Sequence, residues 1–123
     1  MEKTDRDDEF GLLVEKIRRD VEARCGCSVY SKRHKYLGYS LQKSQGYPPY
    51  VFANIFPREK YNKLCEIQSE EKWAIDGGVD GLAEHNNLHG WHDRPCVYWY
   101  VIEGDDQSYH KAIKALSKIC QAR

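Results

Sequence analysis

Three histidines and one cysteine lie close together in the last third of the chain. They are His85, His89, His92 and Cys96. Imidazole and thiolate are common zinc ligands, and four of them complete a tetrahedral shell. The set lacks the CxxC…CxxC or CxxC…HxxxH signature of regular zinc sites. We therefore favour polar loop histidines beside a buried cysteine, predict no bound cofactor, and keep a small zinc-dependent hydrolase as an alternative function.

The cysteines as a whole indicate reduced thiols. There are five of them, an odd number, and no charged segment followed by an apolar one marks a secretion signal. Cys25 and Cys27 form a CxC pair rather than the CxxC of redox motifs, so the pair gives little support to redox chemistry. The sequence predicts a cytoplasmic protein whose cysteines mostly fill the core.

A basic and tyrosine-rich stretch covers residues 30–63. It holds six of the nine tyrosines, and residues 25–65 carry seven Lys or Arg side chains against a single acid. Because cations contact phosphates and aromatic rings stack on bases, the pattern is typical of single-stranded nucleic-acid binding. The side chains that would make these contacts are Lys32, Arg33, Lys35, Tyr36, Tyr39 and Lys43. A pI near 6.9 lacks the usual basic excess, so tyrosines that pack on helices are the favoured interpretation and nucleic-acid binding is an alternative.

Residues 66–106 have the opposite charge. They carry ten acidic side chains against two basic ones, although the whole chain has a net charge of zero. Indole rings are frequent anchors of protein interfaces, and acidic groups around them suit a basic protein surface such as a nucleic-acid channel. We predict a partner-binding surface centred on one of the three tryptophans in this region, Trp91. The proposed members are Trp91, Trp73, Asp76, Asp80, Glu84 and Asp93.

Hydrophobic periodicity predicts a helix near each end of the chain. Residues 1–8 are predicted to be a flexible N-terminus, from which a helix starts at a cap formed by Asp7 or Asp8. Its apolar residues recur at helical spacing and are Phe10, Leu13, Val14, Ile17 and Val21. A second amphipathic helix follows an acidic cap at residues 104–106 and continues to about Gln121.

Strands are predicted between these helices. Residues 27–32 and 36–42 favour a β-hairpin, and residues 50–56 are apolar at almost every position, as in a strand covered on both faces. Residues 96–103 are the clearest strand, because apolar and polar or aromatic positions alternate along it.

Two further segments have weaker patterns. Residues 57–67 fit a short helix, which we favour, or a strand in which Tyr61, Lys63 and Cys65 alternate with their neighbours. Residues 68–95 are rich in Gly and Asn and are predicted to form a long acidic loop. The sequence thus predicts a single α+β domain over residues 9–123. We expect a two-layer arrangement in which a mostly antiparallel sheet is packed by the amphipathic N- and C-terminal helices.

Two segments resemble a known family. They are residues 50–60, YVFANIFPREK, and residues 96–119, CVYWYVIEGDDQSYHKAIKALSKI. They resemble a small bacterial domain of uncharacterised function, which is labelled "predicted transport protein" and is often appended to restriction-type nucleases. The shared pattern is an aromatic strand, a basic turn after a proline, a late strand, an acidic cap and an amphipathic last helix. The resemblance covers roughly half of the chain and brings no catalytic residue with it. It implies an accessory module in prokaryotic defence rather than an enzyme.

The sequence as a whole favours binding over catalysis. No stretch matches a catalytic motif, and no apolar run is long enough to span a membrane. We therefore expect a non-enzymatic, cytoplasmic module that acts by protein–protein contact. Its expected setting is phage–bacterium conflict, as an accessory domain or as an inhibitor of a defence nuclease, of the anti-restriction or anti-CRISPR-like kind. The expected partner is a protein with a basic surface, nucleic acid is the alternative partner, and no membrane is involved.

Overall fold

A computed structural model of the chain describes residues 2–33, 38–44, 50–57, 63–70, 84–91 and 94–122. Two helices lie before and after six strands in chain order. The helices are α1 (Glu2–Cys25) and α2 (Asp106–Ala122), and the strands are β1 (Tyr30–Arg33), β2 (Tyr39–Gln42), β3 (Val51–Pro57), β4 (Lys63–Glu70), β5 (Glu84–Trp91) and β6 (Arg94–Ile102).

The strands form one sheet in the order β1-β2-β3-β4-β6-β5. All neighbouring strands in it are antiparallel. The two helices contact each other, and their buried residues join those of the sheet in a shared core. This arrangement confirms the predicted α+β fold with helices from both ends of the chain, and it confirms the hairpin, which is formed by β1 and β2.

The apolar stripe predicted for α1 is also confirmed. Its fully buried residues are Val14, Ile17 and Val21. Leu12, which lies off the stripe, is 69 % exposed. The predicted start of the helix is wrong, because α1 begins at Glu2 rather than after Asp7 or Asp8. Lys, Arg and Glu, which occur in this first segment, are good helix formers, and the helix therefore continues through Asp7 and Asp8.

The predicted cap of α2 is confirmed at Asp105. Its Oδ1 accepts a hydrogen bond from the backbone N–H of Ser108 at 3.1 Å, and the Ser108 hydroxyl donates to the carbonyl of Asp105 at 2.8 Å. Gly104 has a φ of 76°, and this left-handed conformation turns the chain from β6 into α2. The backbone N–H of Ile102 donates to the same Ser108 hydroxyl at 2.9 Å, so the end of β6 is bonded to the start of the helix.

Both helices have one apolar and one polar side. In α2, Ala112 and Leu116 are buried, whereas Lys111 and Lys114 are exposed. Over the residues that the structure describes, neither helix is long and apolar enough to cross a membrane.

The short helix predicted over residues 57–67 is wrong for its second part, which belongs to β4. Cys65 and Ile67 are fully buried and pair with Val101 and Trp99 of β6. The alternation that also fitted this segment is therefore the one that the fold uses. Because β4 lies between β3 and β6, its backbone forms hydrogen bonds along both edges. This pairing with distant segments outweighs the weak local preference of the residues for a helix.

The long loop predicted over residues 68–95 is wrong in several places. β4 continues to Glu70, β5 covers residues 84–91, and β6 already begins at Arg94. β5 is rich in Asn and His, which have no strong preference for strands, and it lies at an edge of the sheet, where pairing with β6 holds it. Edge strands commonly carry polar residues because these discourage pairing with other chains.

Tyr109 joins the two helices. Its hydroxyl donates a hydrogen bond to Oδ2 of Asp20 in α1, and the Lys16 ammonium lies 4.5 Å from the centre of its ring. Burial, together with the hydrogen bond to Asp20, raises the pKa of Tyr109 above its ordinary value of 10.0. The protonated phenol is therefore the form that the fold stabilises.

Tyr109→Phe is expected to lower the free energy of unfolding by about 1 kcal/mol at neutral pH, because a half-buried hydrogen bond to a carboxylate is lost. The stabilisation by the protonated phenol is fully present below the ordinary pKa of 10.0 and is lost as the pH rises above it. Urea unfolding of both proteins at about pH 7 and about pH 11 measures the difference, which should shrink at the higher pH. A difference that does not change with pH would contradict this role of the phenol proton.

Candidate functional site

The sheet face opposite the helices carries polar and aromatic side chains along β4 and β6. Tyr98 and Tyr100 alternate with the buried residues of β6, as the sequence predicts. Strand pairing places Gln68 opposite Tyr98 and Glu66 opposite Tyr100. We call this surface the outer face. Its members in the two strands are Lys63, Leu64, Glu66, Gln68, Glu70, Tyr98, Tyr100 and Ile102.

The tyrosines form the centre of the outer face. The rings of Tyr98 and Tyr100 meet edge to face with their centres 5.7 Å apart, and Nζ of Lys63 lies 3.6 Å from the centre of the Tyr100 ring. Leu64 and Ile102, at the same end of the two strands, are 40 % and 38 % exposed. Exposed apolar side chains beside tyrosines, with a cation at the border, have the composition of a protein interface.

Two carboxyl groups lie on the outer face with little exposure. Glu66 is 5 % and Glu70 is 4 % exposed, although glutamate is rarely buried without a partner. The amide Nε2 of Gln68 donates to Oε2 of Glu66 at 2.6 Å, and both glutamates make further interactions. Hydrogen bonds and other interactions within the protein therefore compensate for the loss of water around these two carboxyl groups.

The predicted partner-binding residues lie partly beside this surface. Glu84 and Trp91 belong to β5, whose register pairs Glu84 with Tyr98 and Trp91 with Arg94. The structure therefore brings two of the six predicted residues to the strand next to Tyr98. The other four are outside the described residues and are Trp73, Asp76, Asp80 and Asp93.

The residues of the alternative nucleic-acid site do not form one surface in the described part of the chain. Lys32 and Arg33 are exposed on the edge strand β1. The ring of Tyr39 instead packs against Phe10 of α1, with the ring centres 5.6 Å apart. Nζ of Lys43 donates to the backbone carbonyl of Cys120 at 2.8 Å. The remaining two, Lys35 and Tyr36, are outside the described residues.

The register of β5 and β6 does not bring together two of the residues that the alternative zinc site would use. His85 pairs with Val97, whereas the partner of Cys96 is Asn86. His85 and Cys96 are therefore one register position apart and do not pair with each other. The other two predicted ligands are His89, which is in β5, and His92, which is outside the described residues.

A different group of metal-ligating side chains forms where the two helices end. The Sγ atoms of Cys25, Cys27 and Cys120 all lie within 4.8 Å of one another, and those of Cys25 and Cys120 are 3.7 Å apart. Cys120 is fully buried, and the other two are partly exposed. Burial raises the pKa of the Cys120 thiol to about 12, the neighbouring Cys25 thiol acts in the same direction, and the Lys43 ammonium acts against both.

The sequence does not indicate this thiol cluster. The CxC spacing of Cys25 and Cys27 is not that of a redox motif, and Cys120 is 95 positions from Cys25. One signal is present: Cys25 follows the apolar stripe of the first predicted helix, and Cys120 lies near the predicted end of the second. Two such helices that pack side by side can bring their ends together, but the sequence alone does not state their direction.

No family model matches the chain, and no curated protein or solved structure matches it either. The resemblance of residues 50–60 and 96–119 to the family labelled "predicted transport protein" therefore stays an expectation.

Proposed function

We propose that this chain is a binding module that acts by protein–protein contact through the outer face and the adjacent strand β5. The observation that carries the proposal is the pair of tyrosines, Tyr98 and Tyr100, with Lys63 against one ring and exposed Leu64 and Ile102 beside them. Tyrosines in contact with apolar neighbours are typical centres of protein interfaces, because a large ring buries much area and loses little conformational freedom.

The charges of the outer face support a protein partner over a nucleic acid. Glu66 and Glu70 lie among its aromatic residues, where their negative charge opposes a phosphate backbone. Tyr39 and Lys43, which would bind a single strand, contact α1 and α2 instead. A partner with a basic surface suits this acidic and aromatic face, and charge complementarity would raise its rate of association.

The proposed biological setting is supported by the resemblance and by this charge. In our proposal the chain is cytoplasmic, is not an enzyme, and acts in phage–bacterium conflict as an accessory domain or as an inhibitor of a defence nuclease. Nucleases of this kind hold nucleic acid in basic channels, which an acidic surface with an aromatic centre would occupy. Trp91 and Glu84, in β5, would extend the contact beyond Tyr98.

Site-specific photo-crosslinking tests this proposal. A photoreactive phenylalanine derivative replaces Leu64 or Ile102 on the outer face, or Lys114 on the exposed side of α2 as a control. We expect light-dependent adducts with one protein in a bacterial lysate from the first two positions and none from the third. The adducts should survive nuclease treatment, since the contact is with protein.

Substitutions then measure the contribution of the tyrosine centre. Tyr100→Ala and Trp91→Ala are expected to weaken binding of the captured partner by about 2 kcal/mol, or about 30-fold, the range of interface hot spots. Lys114→Ala should leave affinity unchanged. Adducts that vanish after nuclease treatment, or equal affinity for all three variants and the parent, would refute the proposed contact.

A further inference from the structure

We propose that Cys25, Cys27 and Cys120 form a binding site for a thiophilic metal ion, held by three thiolates where the two helices end. The site is separate from the outer face and from the predicted histidine set. Its function would be to bind zinc(II) or copper(I), two ions that sulfur ligands prefer over magnesium or calcium.

The distances between the sulfur atoms suit one shared ion. Two sulfurs bonded to a tetrahedral zinc at 2.3 Å lie about 3.8 Å apart, and a trigonal arrangement separates them by about 4.0 Å. The Sγ atoms of Cys25 and Cys120 are already 3.7 Å apart, and all three Sγ atoms lie within 4.8 Å of one another. Small rotations of the side chains would therefore bring the three sulfurs into a metal-binding arrangement.

The fold explains how a CxC pair can supply two ligands to one ion. Cys25 is the last residue of α1, and the N–H of Gly26 donates to the Glu22 carbonyl at 3.0 Å, which closes the final turn. Gly26 has a φ of 71°, in the left-handed region, so the chain reverses between the two cysteines. The reversal places the Cys27 thiol 3.7 Å from the Cys25 carbonyl and on the same side as the Cys25 thiol.

The third ligand and a nearby cation come from other parts of the chain. Cys120 lies in the last turn of α2. Its carbonyl oxygen accepts a hydrogen bond from Nζ of Lys43 at 2.8 Å, so an ammonium group is bound beside the cluster. Three thiolates with a dication would leave a charge of −1, which this ammonium offsets. Among the described residues no fourth ligand lies in the cluster, so a tetrahedral ion would keep one coordination position for an added ligand.

Metal titration of the whole reduced chain tests the site. The chain is prepared without oxygen after removal of bound metal with a chelator, and it is then titrated with zinc(II), cadmium(II) or copper(I). Cadmium serves as an optical probe, because thiolate ligation produces an ultraviolet charge-transfer band. We expect one equivalent to bind tightly and to protect Cys25, Cys27 and Cys120 from alkylation, as mapped by mass spectrometry.

Matched variants locate the ion. Cys27→Ser, at a partly exposed position, should weaken metal binding by roughly 100-fold or more, since one of three ligands is lost. Gly26→Ala retains every thiol but strains the left-handed position, and it should weaken binding as well. Cys65→Ala removes a thiol of the core, and His89→Ala removes a predicted zinc ligand; neither should change the affinity. Circular dichroism confirms that each variant is folded.

Several results would overturn the proposal. No binding of any of the three ions at micromolar concentration would remove it. Unchanged affinity in both Cys27→Ser and Gly26→Ala would exclude the thiol cluster, and loss of binding in His89→Ala would place the ion at the histidines. A disulfide between Cys25 and Cys120 in protein purified without oxidant would also contradict a site that needs both thiolates.

Discussion

Leu116→Ala is expected to lower the free energy of unfolding by about 3 kcal/mol, because it removes a large side chain from the core and leaves a cavity. Leu116 is fully buried in α2, where it belongs to the core cluster between the helices and the sheet. The same substitution at Leu12 of α1 is the matched control. That side chain is 69 % exposed, so Leu12→Ala should change the stability by no more than about 0.5 kcal/mol.

Urea unfolding followed by far-ultraviolet circular dichroism measures both variants. The slope of free energy against urea should be the same for both variants and the parent, since each unfolds the same core. Equal losses of stability at the two positions would contradict the packing of α2 on the sheet. A large loss at Leu12 alone would mean that the other side of α1 is the buried one.

Trp99→Ala is expected to have the largest effect of all, about 4 kcal/mol. Trp99 is 4 % exposed and lies opposite Ile67, at the centre of the helix-facing side of the sheet. It also lines a cleft of about 300 Å³ between the end of β6 and the start of α2. Truncation to alanine would open the core to this cleft as well as remove apolar contacts.

Trp99→Phe distinguishes two contributions of Trp99 to stability, the packing of its large ring and the burial of its polar indole nitrogen. The indole Nε1 is buried and has no hydrogen-bond partner among the described residues, and a buried donor without a partner reduces stability. Phenylalanine loses part of the ring but also removes this donor, so we expect a loss of no more than about half that of Trp99→Ala. Equal losses in the two variants, measured by the same urea unfolding, would contradict the unpaired state of Nε1.

The sequence predicts β6 and α2 to within about two residues, because each combines a clear period with a recognisable end. Valine and tryptophan alternate with tyrosine along β6, and Gly104 and Asp105 form the turn and the cap that start the helix. The same reasoning identifies the buried stripe of α1. The first turns of α1 are not predicted, because Asp7 and Asp8 are typical N-cap residues and favour a later start than Glu2.

The sequence could not predict β4 and β5 with the same success. In β4, Glu66 and Glu70 are nearly as buried as Cys65 and Ile67, so the usual contrast between polar and apolar positions is absent. In β5, the segment EHNNLHGW has no strong preference for a strand and depends on pairing with β6. These strands form because distant segments of the chain pair with each other, and the local sequence pattern carries no information on that pairing.

The candidate sites also contain features that the sequence predicts and features that depend on the fold. The tyrosines of the outer face follow from the alternation of β6, whereas the contact of Lys63 with Tyr100 depends on the pairing of β4 with β6. The thiol cluster depends on two helix ends that lie 95 positions apart. Residue types were visible in the sequence in each case, and the fold determines which of them meet.

The contact between the two helices also has a consequence during synthesis. Tyr109 and Asp20 are 89 positions apart, so a ribosome that adds 5–20 residues per second needs roughly 4–18 s to supply the partner of α1. Until α2 leaves the exit tunnel, the stripe with Ile17 and Val21 has no second helix to cover it. Nascent chains with uncovered apolar surface are those that chaperones hold. The packing of α1 is therefore completed only after α2 has been translated.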